Sequence, residues 1–227
     1  NGLFGDRIAG GDIHFLRLAQ AALAAGYALH FIGGHALEKQ LKPRFARYGL
    51  TLTDPAQAAP FNPNSITSQV RLFWDFFRRF LRTMRRLSDI RPDDAVYAVS
   101  DYWFDVLPAV LCRARAKLMV WHMQAPSFGQ IVRRSRPDVD AARVASLHYW
   151  ASQNFSLWVF HFCRHKRLLH VHPNMRPRLL RRGYREAELQ YASFGVDVPD
   201  TGAPTAANKT YDVTWIGRVH RQKGVED

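Results

Sequence analysis

Gly10-Gly11-Asp12-Ile13-His14-Phe15-Leu16-Arg17-Leu18-Ala19-Gln20-Ala21-Ala22-Leu23-Ala24-Ala25-Gly26, followed by Tyr27-Ala28-Leu29-His30-Phe31-Ile32 and Gly33-Gly34, is the stretch that decides the fold. Asp12 is a candidate N-cap for a helix that carries Ile13, Leu16 and Leu23 among alanines, and Gly26 is placed to end it. The run 27–32 has no alternation of polar and apolar residues. Such a run suits a parallel strand covered on both faces. Together they make an α-then-β step of a doubly wound sheet, with a preceding strand expected upstream of the glycine loop.

The pattern repeats outward from there. Residues 38–48 read as a helix, 50–53 as a strand, and 54–64, with its prolines and asparagines, as a loop. After Arg91-Pro92-Asp93-Asp94 an apolar strand is expected at 95–99, a helix at 104–115 and a strand at 117–121. Residues 138–166 read as an aromatic-rich helix, 168–172 as a strand, 173–182 as a basic helix stopped by Gly183, and 189–193 as a last strand. The predicted class is α/β, a Rossmann-like doubly wound parallel sheet over residues 1–200. A linker rich in Gly, Pro, Ala and Thr follows at 201–209, then the start of a truncated second domain at 210–227.

The 227 residues carry 32 Lys plus Arg against 19 Asp plus Glu, a net charge of +13 that favours anionic partners. Nucleic acid, anionic lipid and nucleoside diphosphate all qualify on charge. The two cysteines, Cys112 and Cys163, form no CxxC pair, which argues against a disulfide framework or a zinc ribbon and for a reducing, cytoplasmic setting. No run is apolar and long enough to span a bilayer.

Several residues can carry chemistry. Gly10 and Gly11 before a helix would let an anion or sugar approach the backbone, or are an ordinary glycine turn. Their spacing is not GxGxxG, and no GxxxxGK[ST] occurs. Ser100-Asp101 and His122 each sit at the carboxyl end of an expected strand, where ligands bind in open α/β sheets. His122 is the candidate proton carrier or hydroxyl-orienting group; its bland alternative is a hydrogen-bonded histidine at a sheet edge. His161, Cys163 and His165 suggest a metal, since two His at i and i+4 can share a helix face, but no HExxH motif or nearby carboxylate completes the set, and no metal site is expected. Arg218 and Lys223 follow the strand-like 211–216 and Gly217, a position suited to a diphosphate.

Residues 68–87 form a strongly amphipathic pattern, with Val70, Phe73, Phe77, Phe80, Met84 and Leu87 opposite Arg71, Arg78, Arg82 and Arg85. Three meanings stand open: phenylalanines in the core with a solvated arginine face, an anionic membrane contact through Arg78, Arg82 and Arg85, or nucleic-acid binding, the least favoured.

Taken together these segments resemble the GT-B glycosyltransferases, specifically the retaining nucleotide-sugar enzymes of glycosyltransferase family 4. The resemblance rests on 10–26, the strand into His122, the 175–183 helix, Phe194-Gly195-Val196-Asp197 and, most specifically, Trp215-Ile216-Gly217-Arg218-Val219-His220-Arg221-Gln222-Lys223-Gly224. It implies sugar transfer from a nucleotide-sugar donor to a hydroxyl of a glycan or lipid-linked acceptor, with retention and without a metal. Matched residue by residue, it implies that Gly10 and Gly11 face the acceptor and donor phosphates and that His122 lies beside the transferred sugar. Arg218 and Lys223 would bind the leaving diphosphate, with His14 and Asp101 on the acceptor side. A cytoplasmic enzyme, peripheral at the inner face of a membrane, is the implied setting. Two departures from the family pattern touch acceptor and linker details: Phe194 stands where an Asn is usual, and His172-Pro173 replaces a Ser. The alternative is a basic α/β module that binds anionic membrane or nucleic acid without catalysis.

Overall fold

The computed structural model describes residues 10–53, 65–135 and 143–192. It is α/β, and every strand pairing within it is parallel. Helix α1 (Gly10–Ala24) leads to β1 (His30–Gly33), α2 (His35–Leu41) and β2 (Gly49–Leu52). Then come α3 (Ile66–Met84), β3 (Ala95–Ala98), α4 (Trp103–Leu111), β4 (Ala116–Trp121) and α5 (Phe128–Arg133). The remainder is α6 (Arg143–His161), β5 (Lys166–His170), a short 3-10 turn into α7 (Arg176–Arg181), and β6 (Leu189–Tyr191).

β1 and β2 form one parallel pair, and β3-β4-β5-β6 form a four-stranded sheet in sequential order. Parallel neighbours need a crossover between them, and each crossover in the larger sheet is helical. The arrangement is compatible with a Rossmann-like fold. The larger core lies where α4 and α6 cover the sheet, with Val106, Met119, Leu157, Phe160, Leu168 and Leu179 all essentially inaccessible. A smaller core joins Leu16, Phe31, Leu41 and Phe45. Phe15 of α1 meets Phe31 of β1 edge-on at 5.6 Å and stacks near Tyr97 of β3 at 6.4 Å, so α1 bridges the two sheets.

Local sequence explains most boundaries. Ser65 caps α3 by accepting from the Ser68 amide, and Ser127 with Gln130 closes a capping box on the short helix α5. Gly183, at φ +88°, takes the left-handed conformation that ends α7, as expected of a glycine after a basic helix. His172 accepts from the Asn174 amide, so His172-Pro173 starts a 3-10 turn instead of extending the preceding strand. α1 already includes Gly10 and Gly11, which places Asp12 inside the first turn and not at the N-cap. α2 ends at Leu41 because Pro43 follows.

The end of the larger sheet is pinned by a buried ion pair. Lys166 at the start of β5 meets Glu188 at 3.1 Å and donates to the carbonyls of His161 and Cys163, while Glu188 also receives Arg185. Both partners are nearly inaccessible, and the additional hydrogen bonds satisfy what the pair alone would leave open.

Two helices carry large apolar side chains on their outer sides. Val70 and Phe73 of α3 are exposed, as are Phe155 and Trp158 of α6. The interior-facing positions of α3 are Gln69 and Phe76. Hydrophobic periodicity marks an apolar side, but which side is buried depends on where the neighbouring helices sit.

Candidate functional site

β3 and β4 run side by side in register, so the residues just past their carboxyl ends, Asp101 and His122, emerge at one edge of the sheet. The first turn of α1 lies over the second of them. A Cβ built on Gly11 would sit 3.5 Å from Cε1 and Nε2 of His122. One turn on, His14 packs edge-on against His122 with ring centroids 5.8 Å apart. Gly11, His14 and His122, distant in sequence, thus form one constellation, and the helix start brings its amide groups to the same place.

Burial first, and neighbouring His14 second, push the His122 imidazole down to about 4. Burial also lowers His14. Both rings are therefore neutral near pH 7, able to donate at one nitrogen and accept at the other. A neutral imidazole suits recognition of a hydroxyl better than attraction of a phosphate.

Asp101, just past the end of β3, is enclosed. It is only 3% exposed, and its carboxylate accepts from the Gln153 amide at 2.6 Å and the Tyr149 hydroxyl at 3.1 Å. Burial pushes its carboxyl up to about 7, against the lowering effect of these two donors. Gln153 also donates to the Met123 carbonyl at 2.7 Å and accepts from the Ala125 amide at 3.0 Å. Ser152 accepts from the Trp103 amide, and Ser100 donates to Asp105. The three α6 residues Tyr149, Ser152 and Gln153 therefore tie the loop after β3 to the loop after β4. Asp101 belongs to this clamp, which holds the backbone just after His122, at Met123 and Ala125.

Sequence reasoning missed Tyr149, Ser152 and Gln153. Their signal was present: Tyr149 and Gln153 are four apart in a helix otherwise rich in aromatics, so both face the same way. Arg78 and Arg82 of α3 are exposed, and Arg82 donates to the Thr53 carbonyl at 3.1 Å. Arg85 is the exposed C-cap of the same helix. Gly10 starts α1 beside Gly11. Arg218 and Lys223 lie outside the described residues, as do the linker and the Phe194 turn.

Among the described residues no group of three His, Cys, Asp or Glu could hold a metal ion. His161 instead packs edge-on against Phe162 and Tyr184, and Cys163 is a buried free thiol. No helix among the described residues is long and apolar enough to cross a membrane. The chain matches no family model, no curated protein and no solved structure.

Proposed function

We propose that this chain carries the acceptor-side half of a nucleotide-sugar-dependent glycosyltransferase of the GT-B type, acting with retention of configuration on a glycan or lipid-linked hydroxyl. The observation that supports it best is the contact of Gly11 and His14 with His122, at a helix start and at the carboxyl end of a parallel strand. In this proposal neutral His122 hydrogen-bonds a hydroxyl of the transferred sugar. The absent side chain of Gly11 leaves the first turn of α1 open to the donor. Departure of a nucleoside diphosphate builds negative charge, which the helix start, Arg218 and Lys223 stabilise without a metal.

The Asp101–Gln153–Tyr149 clamp holds His122 and the loop beyond it in place, which is a positioning role. The proposed setting is cytoplasmic, at the inner face of a membrane where a lipid-linked acceptor would be presented.

Saturation-transfer NMR with uridine and guanosine diphosphate sugars tests this on the 227-residue chain. Weak binding of one nucleotide sugar, lost in His122→Ala, is expected, with no sugar transfer. If no nucleotide sugar binds, or binding survives His122→Ala unchanged, the proposal fails. Robust turnover by this chain alone would refute the division of the site between two halves.

A further inference from the structure

Helix α3 turns its most apolar side to solvent. Ile66 is 68% exposed, Val70 62%, Trp74 50%, Phe73 46% and Leu81 44%. At about 100° per residue these positions share one side of the helix along its whole length. The side that packs on the protein is instead centred on Gln69 and Phe76, where Phe76 stacks on Phe104 at 4.0 Å. Apolar area laid along the outside of a 19-residue helix is not accounted for by the domain's own core.

The charge beside this stripe is of one sign. Arg71, Arg78 and Arg82 are exposed next to it, and Arg85 continues the row past the last turn. The only acidic residue of the helix is Asp75, which is half-buried. The Arg78 guanidinium lies over the Trp74 ring at 5.6 Å, so cation and aromatic are already gathered at one place. Phe73 also touches His148 of α6 at 6.1 Å, and every exposed residue of α6 from 144 onward is apolar.

We propose that this outward face of α3 is a docking surface for an anionic lipid bilayer, the helix lying in the plane of the interface. Ile66, Val70, Trp74 and Leu81 would enter the boundary between headgroups and acyl chains while the arginine row meets lipid phosphates and anionic headgroups. A second copy of the chain fits less well, because pairing this face with itself sets arginine rows together in a protein already at +13. Nucleic acid would use the arginines but has no counterpart for exposed Ile66, Val70 and Leu81. The inference deepens the membrane setting proposed above and does not depend on sugar transfer.

The test is co-sedimentation of the full chain with vesicles of phosphatidylcholine, alone or with one-third phosphatidylglycerol. Binding to the anionic vesicles, at least tenfold weaker on neutral ones, is expected. Trp74→Ser/Leu81→Ser keeps the charge and interrupts the apolar stripe at its largest side chain and its C-terminal end; Arg71→Glu/Arg78→Glu keeps the stripe and reverses charge. Each should lose at least tenfold in partition while far-UV circular dichroism stays unchanged. The proposal is overturned if the wild-type chain ignores anionic vesicles, or if Trp74→Ser/Leu81→Ser binds them as well as wild type. It is equally overturned if light scattering shows a dimer that this variant turns into a monomer. Nucleotide-sugar binding by NMR is expected unchanged in both variants, so failure here and failure of the glycosyl-transfer proposal are told apart.

Discussion

Asp101 gives the sharpest quantitative test, because a carboxyl raised to about 7 from 3.8 by burial makes a pH-dependent contribution to folding. Between about pH 4 and pH 7 the unfolded chain has lost this proton and the folded chain still holds it. Stability therefore falls as pH rises through that window, the reverse of the usual behaviour of a salt-bridged carboxylate. The interval between the two values converts to about 4 kcal/mol as an upper bound. Asp101→Asn keeps an oxygen to accept from Gln153 and Tyr149 and has no proton to lose. Urea unfolding at half-unit steps from pH 4.5 to 8 is the assay. Asp105 is also raised by burial and contributes a slope of the same sign, so the quantity to read is wild type minus variant. That difference should change steadily through the window, the variant gaining up to about 4 kcal/mol over wild type by pH 8. Parallel curves for the two proteins would refute the assignment of a protonated Asp101 at the centre of the clamp.

Two further perturbations separate structure from ligand binding. Gly11→Ala places a methyl 3.5 Å from the His122 ring, an ordinary contact, within the first turn of a helix. Stability should rise or hold within about 1 kcal/mol by thermal unfolding, while nucleotide-sugar signals in NMR weaken at least tenfold. Glu188→Gln leaves buried Lys166 without its counter-charge and should cost about 3–5 kcal/mol in urea unfolding, with His122 chemistry unaffected; a loss under 1 kcal/mol would show the pair to be solvated.

The alternation of helices and apolar runs was legible because strands covered on both faces need continuous apolar sequence and helix ends need Gly, Ser or Pro. Thus β3, β4 and β5 lie within two residues of their expected starts, and α7 stops before Gly183 as expected. The positions of His122 and Asp101 beyond their strand ends were equally legible, since topology alone puts them there. α5 was not, because six residues carry too little periodicity to separate a short helix from a loop.

By itself, then, the sequence determined the class of fold, the order of its elements, the basic character of the chain and the candidacy of Gly11 and His122. These follow from local chemistry, which is written residue by residue. The tertiary structure decided that the first turn of α1 lays Gly11 on His122, that Asp101 is enclosed by Tyr149 and Gln153, and that α3 shows Val70 and Trp74 to solvent while burying Gln69. Each depends on which surfaces meet, and a periodic pattern records that a helix has an apolar side without recording what that side touches.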